Sequence, residues 1–478
     1  MEKEILPTHT IPLHYNLEIK PNLDNTMFDG IVKIDVRIIK ETDNIIVNGR
    51  DINITNVYLE CNNALIKVTD VIYNKETEQI KFQFDYMITP GVYLLVIMYN
   101  ALLTEKLLGF YKCNYEKTTI LATQFEPTHC RCALPCWDEP GIKAKFTVNL
   151  IIPKNKIGLS NTQQIEETNC DPCINYKKVT FETTPLMSTY LLAFLVIDEY
   201  ESIQTKSQNN ILINVWTPKG RTEEGLFALD IASKALDYFT EYFGIQYPLN
   251  KIDLIPIPNF EAGAMENWGL ITFRFTCLLA HKETTLDTKK EVAYTICHEL
   301  AHQWFGNLVT MDWWSGLWLN EATATYFGWM ATDYLFPEWN VWTSFLNDDY
   351  MCGMELDSLE TSHPIDVPIQ KASEVDEIFD AISYSKGSCV IKMLIEFLGK
   401  DTFQKGIQYY LKKHIYQNAT ANDLWNALSY ISKYDILTMM NTWTFQKGYP
   451  YVNINIIDKV NCKYMLEQKK YTLDEKNG

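Results

Sequence analysis

The chain has 478 residues, too many for one ordinary domain, and 47% of them are hydrophobic, enough for a large core. Lysine and arginine number 42 against 60 acidic residues, and the resulting net charge of −18 argues against a nucleic-acid partner. A charged fraction of 21%, with no long low-complexity tract, argues against a chain dominated by disorder.

In chain order, the N-terminal stretch MEKEILPTHTIPLHYNL has no apolar core of the kind a signal peptide needs, so a cytoplasmic location is expected. Residues 1–200 read as β-structure. Alternating runs at His14–Ile19, Ile31–Ile39, Gln79–Met87, Val92–Met98, Lys145–Ile152 and Tyr190–Ile197 are separated by Pro, Gly, Asn and Asp. The longest apolar runs fall far short of the ~20 residues that span a bilayer, so no membrane span is expected. Twelve cysteines suit free thiols in a reducing compartment. Cys170 and Cys173 have a CxxC spacing with no partner pair, and Cys130, Cys132 and Cys136 beside His129 read as small buried side chains in a turn. The sequons at Asn53 and Asn418 carry little weight without a secretion signal.

After Tyr200 the period changes. Leu226, Leu229, Ala232, Leu236 and Phe239 place an apolar stripe on a helix over Thr222–Tyr242, and helices continue to about Lys447. Alternation returns over Tyr451–Tyr471. The expected division is a β domain at 1–200, a mostly helical domain at 201–447, and the opening strands of a third domain at 448–478.

The most informative stretch is Thr288–Gly306. Thr288 and Glu291 are spaced as a capping box, and Gly306 suits a helix C-terminus. Between them lies His298-Glu299-Leu300-Ala301-His302. Residues i and i+4 share one helical face, so both imidazoles can reach one metal ion. Glu299 falls beside that ion, where a general base for an activated water belongs. A catalytic zinc takes three protein ligands, and Glu321 supplies the third from a second helix that Pro337 ends. Eighteen residues separate it from His302, enough for a turn back between packed helices. A lone HExxH match is more often a solvated helix face. Here a capped helix, a third ligand and the aromatic residues Trp304, Phe305, Trp313, Trp314 and Trp318 favour a metal site. His9, His14, His129, His281, His363 and His414 read as structural or exposed.

The runs HELAHQWFGNLVT and WLNEATATY, with Gly263-Ala264-Met265-Glu266-Asn267, resemble the M1 family of zinc aminopeptidases, the gluzincins. Gln124-Phe125-Glu126-Pro127, the following PCWDEPG, and Tyr384-Ser385-Lys386-Gly387 extend the resemblance, which runs from about Leu6 to Val452. It implies an N-terminal antiparallel β saddle or sandwich, a thermolysin-like α+β, mostly helical catalytic domain, and the start of a β-sandwich. It also implies one zinc ion per chain on His298, His302 and Glu321, with Glu299 as general base and Tyr384 as the donor to the transition state. Glu126 and Glu266 match positions that grip the α-ammonium of a peptide with a free N-terminus. Gly263, Ala264, Met265 and Asn267 belong to the substrate-pairing strand, and Gln124 with Met265 is expected to line the first side-chain pocket.

Two departures stand out. Asn320-Glu321-Ala322-Thr323-Ala324 replaces the family's usual NEGFA, and the chain is short at its C-terminus. A truncated or short product, or a second chain supplying the missing domains, would account for the length. A relative that opens an epoxide carries a tyrosine five residues before the catalytic one, and here that position is Phe379. The alternative to an enzyme is a weakly active or inactive peptide-binding or regulatory module.

Overall fold

A computed structural model describes residues 3–23, 26–62, 64–116, 118–170 and 175–473. Among these, nine strands form the largest sheet, in spatial order Gln164–Asn169, Tyr176–Phe181, Lys143–Pro153, Thr10–Asn22, Met27–Ile38, Gly91–Leu102, Ile52–Cys61 and Ala64–Lys67, with Met187–Ser188 on the edge of Lys143–Pro153. Met27–Ile38 shows why: every second side chain is buried, the period-two signature of a sheet with one face on a core. One pair departs from the antiparallel expectation, since Thr10–Asn22 runs parallel to Lys143–Pro153. A smaller sheet of Ile157–Ser160, Phe194–Ile197, Thr118–Gln124 and Gly109–Tyr115 ends on Gln124 and so delivers the QFEP segment. The predicted strand at Tyr190–Ile197 is shorter than its apolar run. Thr189–Leu191 is instead a tight turn, because the Thr189 hydroxyl donates to Asp138 and the Tyr190 hydroxyl to the Gly306 carbonyl.

The next sheet orders Tyr200–Lys206, Leu212–Pro218, Lys251–Pro256, Leu270–Phe273 and Ala264–Met265. Its last strand is an edge, paired on one side only, Ala264 to Phe273 and Met265 to Thr272. Helix α1 (Thr222–Phe243) packs on this sheet. Its buried face is Ala228, Ile231, Ala232, Ala235, Leu236 and Phe239, one residue round from the predicted stripe, so Leu226 is exposed.

Helix α2 (Leu286–His302) begins earlier than the capping box predicted. The Thr285 side chain accepts the Thr288 N–H at 3.3 Å, which commits Thr288 to the helix interior and leaves Glu291 beyond the cap. It also ends earlier: Gln303 is its cap, while Gly306 lies past it in a turn closed by its N–H on the Val309 carbonyl. Helix α3 (Leu317–Leu335) is buried on nearly all sides, as a helix apolar all round must be. It lies directly under α2 because Gly328 has no side chain: a Cβ there would sit 3.2 Å from His298 Cα. That close approach fixes the depth of Glu321 relative to the two histidines. Pro450–Asp458 and Lys463–Lys470 close the described chain as an antiparallel hairpin with exposed apolar side chains. Among the described residues, no helix is long and apolar enough to cross a membrane.

One buried ammonium joins the N-terminal sheets to the second half. Lys251 Nζ donates to the Ser160 carbonyl at 2.6 Å, the Gly269 carbonyl at 2.7 Å and Asp253 Oδ2 at 2.7 Å. Burial pushes its pKa down, and Asp253 opposes that shift. Removing one partner of a buried pair leaves an uncompensated charge, so Lys251→Met is expected to lower stability by about 3 kcal/mol or more. A urea transition read by tryptophan fluorescence measures this. A loss under about 0.5 kcal/mol, the size of an ordinary surface change, would show that the ammonium does not hold the junction.

Candidate metal centre

The last turns of α2 and the first turns of α3 face each other in a cleft of about 780 Å³. His298 Nε2 and His302 Nε2 are 3.0 Å apart, and each lies 3.4 Å from Glu321 Oε2. Ligands held at ~2.05 Å in a tetrahedron stand ~3.3 Å apart, so the triangle fits a zinc-sized ion. The donor chemistry fits as well, two imidazole nitrogens and one carboxylate. His302 Nδ1 faces the Phe305 carbonyl at 3.0 Å and must donate to it, which leaves Nε2 as a lone pair pointing into the triangle.

The electrostatics describe a site that lacks positive charge. Burial raises the Glu126 carboxyl well above the usual range, and Glu266 beside it adds to the shift. Burial likewise raises Glu266, and raises Glu299 strongly. Burial opposes charge on His302, yet the carboxylates of Glu266 and Glu321 outweigh it and hold the imidazole well above its ordinary pKa. Burial would raise Glu321 too, but His302 and His298 bring it down to about 2. Glu126 Oε1, Glu266 Oε1 and Glu299 Oε2 are buried acceptors with no hydrogen-bond partner among the described residues. One carboxylate oxygen from each of Glu126, Glu266 and Glu321 lies within 4.8 Å of the others.

The cleft gathers the residues singled out in the sequence. Gln124, Glu126, Gly263, Ala264, Met265, Glu266, His298, Glu299, His302, Glu321 and Tyr384 all line it. Asn267 does not; it is buried behind, with its amide on the Thr272 hydroxyl at 3.2 Å. The Tyr384 ring lies nearly parallel to that of His298, 6.3 Å away, and its hydroxyl reaches Glu321. Phe379 also lines the wall.

Sequence reasoning missed several contributors. His129, read as structural or exposed, is buried and lines the cleft, with Nδ1 3.4 Å from the Glu126 carbonyl. Gln303 and Asn307 both donate to the Glu266 carbonyl, at 3.1 and 2.9 Å, and so lock the edge strand to the end of α2. Asn161 ties the same loop from the other side through the Trp268 carbonyl at 2.9 Å. Nothing in the spacing of these amides announces partners so distant in sequence.

The buried cluster of Cys130, Cys136 and Asp138 has the proximity of a ligand set but not its chemistry. Burial pushes both thiols up, and Asp138 is already committed to Arg131 at 2.9 Å and to Thr189 at 2.7 Å. Residues 171–173 of the CxxC run lie outside the described residues.

Comparison with known proteins agrees with this geometry. Residues 11–191 match the model of the peptidase M1 N-terminal domain, and residues 227–443 that of the peptidase family M1 domain. Aminopeptidase M1 of Arabidopsis thaliana is 42% identical over 475 residues, which is 98% of this chain and 53% of that protein. Aminopeptidase 2 of Candida albicans is 43% identical over 97% of this chain and 50% of its own length. The alanine/arginine aminopeptidase of Saccharomyces cerevisiae is 41% identical over 98% of this chain and 55% of its own. The chain spans about half the length of the curated relatives it matches. With both halves matched and relatives above 40% identity along nearly its whole length, the chain belongs to peptidase family M1.

Proposed function

We propose that this chain is a zinc aminopeptidase, which removes N-terminal residues from peptides with a free α-amino group. The observation that carries the proposal is the pair of buried carboxylates Glu126 and Glu266, each with an oxygen that has no hydrogen-bond partner among the described residues, beside the His298, His302, Glu321 triangle. A cleft with that charge accepts a metal ion in the triangle and a second cation, an ammonium, next to it.

His298, His302 and Glu321 hold one zinc ion, which when bound polarises the scissile carbonyl and acidifies water. Glu299 takes the proton of the attacking water and passes it to the leaving amine. Tyr384 donates its hydroxyl to the developing oxyanion. Glu126 and Glu266 grip the ammonium at a fixed distance from the reacting carbonyl. An internal peptide segment would leave them buried and unpaired, which is costly. The free side of Ala264–Met265 receives the extended substrate backbone as an added strand, with Gly263 leaving room for it. Gln124 and Met265 shape the first side-chain pocket, and Asn267 braces the strand from behind.

The proposal also assigns residues 1–200 to an N-terminal β domain, 201–447 to the catalytic domain and 448–478 to the beginning of a further one. It adds a cytoplasmic location, which the free cysteines among the described residues support. One relative is described as mitochondrial. A second chain completing the site has no support in these findings and is not part of the proposal.

The deciding assay is release of a fluorophore from a leucyl or alanyl amide by this 478-residue chain. Release is expected to stop with a chelator, return with zinc, and fail on the N-acetylated substrate. Equal cleavage of the acetylated substrate, or no cleavage with one zinc bound per chain, overturns the proposal.

Glu299→Gln is expected to lower kcat by about 10²- to 10⁴-fold. Tyr384→Phe is expected to lower it by about 10²- to 10³-fold. Both variants should keep stoichiometric zinc by atomic absorption. Metal loss alongside activity would reassign them from chemistry to binding. Glu266→Gln should chiefly raise KM, by ~10- to 100-fold, the worth of a charge-assisted hydrogen bond. An unchanged KM in steady-state kinetics would remove Glu266 from ammonium binding.

A further inference from the structure

Outside the cleft, buried contacts converge on Ile382–Lys386, the π-helical turn that carries Tyr384. Such wide turns are rare and poorly stable alone, so their register depends on what holds them. Asp380 Oδ1 accepts the N–H groups of Ile382 and Ser383 at 2.9 and 3.1 Å, and the Asp380 carbonyl accepts the Tyr384 N–H at 3.1 Å. Asp349 accepts the Ser385 hydroxyl at 2.9 Å. Gly387 lets the turn rest on α3, where a Cβ would come within 2.6 Å of Ala322 Cβ, next to Glu321.

The fourth contact reaches furthest. Lys386 Nζ lies 2.8 Å from Asp357 Oδ2, with side chains only 8% and 1% exposed. Asp357 Oδ1 accepts the Gly448 N–H at 2.8 Å and the Ser362 hydroxyl at 2.9 Å, and Lys386 Nζ is 3.5 Å from the Gln446 and Gly448 carbonyls. Residues 446–448 lead directly into the strand Pro450–Asp458. Gly353 completes the packing, since a Cβ there would come within 2.7 Å of Lys386 N.

We propose that the Lys386–Asp357 pair is a positioning device for Tyr384, tying the aim of its hydroxyl to the 446–448 segment that enters the C-terminal hairpin. A buried ion pair is weak as a source of stability, because desolvation offsets attraction. It is strong as a register pin, because an ammonium shared with fixed carbonyls and a carboxylate shared with a backbone N–H admit one arrangement. Lys386 is two residues from Tyr384, so a slip at the pair swings the phenol away from Glu321. The inference rests on the role proposed above for Tyr384.

The test is a double-mutant cycle on the full chain. Lys386→Met is expected to lower kcat about tenfold or more with KM and zinc content nearly unchanged, the cost of a misplaced group. In the Tyr384→Phe background the same change should alter kcat by less than about twofold, since coupled sites are not additive. Lys386→Arg should retain most activity. Equal losses in both backgrounds would mean general destabilisation and overturn the proposal. If Lys386→Met does not fold, Asp357→Asn removes the charge while keeping the acceptor for Gly448. Hydrogen exchange of the Ile382–Lys386 amides gives an answer independent of turnover: faster exchange in the variant supports the tether, and unchanged exchange overturns it. An inactive parent chain would sink the aminopeptidase reading, while exchange would still decide the tether.

Discussion

The structure depends on enclosing more negative charge than it neutralises. Glu126, Glu266, Glu299 and Glu321 share a buried cleft with the imidazoles of His298 and His302. At 4.8 Å, two unit charges in an effective dielectric of 20 repel by about 3.5 kcal/mol. Three ionised carboxylates, Glu126, Glu266 and Glu321, cannot be held so close without cations. The upward push on the Glu126, Glu266 and Glu299 carboxyls and on the His302 imidazole records this stress in the chain alone. Any cation bound in the folded state and not the unfolded one relieves it, so binding and stability are linked in this cleft.

Holding that charge requires anchors that do not yield. The acids come from a strand end, an edge strand and two helices, and the elements are joined by polar contacts outside the cleft. Gln303 and Asn307 fix the Glu266 carbonyl, Asn161 and Lys251 fix the loop behind it, and Gly328 sets the spacing of α2 and α3. These contacts fix the backbone around the cleft, whereas Glu126 Oε1, Glu266 Oε1 and Glu299 Oε2 inside it have no hydrogen-bond partner among the described residues.

What was legible in the sequence follows from the range of the interactions. The histidine pair at i and i+4 is a local statement about one helix face, so spacing alone brought His298 and His302 together. The strands in the first half were legible through period-two burial, and the helix over Thr222–Phe243 through its stripe. Errors arose where a polar contact overrode pattern. Thr285 captured the start of α2 from Thr288, and Thr189 and Tyr190 left the strand to bind Asp138 and Gly306. Long-range amides such as Gln303 and Asn307 leave no periodic trace. Gln124, Glu126, Glu266 and Tyr384 were found through motifs shared with a family, not through any spacing that brings residue 126 near residue 266.

The two-residue strand Ala264–Met265 shows how the fold makes use of an edge. An unpaired strand edge invites pairing with other chains, and proteins usually cover or charge it. Here the edge faces the cleft, where only an extended segment narrow enough to enter can pair with it. Glu126 and Glu266 stand at one end of that edge and demand a positive charge. A chain that satisfies both the backbone edge and the acids must present an amine where its backbone ends. On the proposed reading, the selection of a peptide terminus over an interior therefore needs no separate recognition domain. It follows from placing a short open edge against buried acids with oxygens that lack hydrogen-bond partners among the described residues.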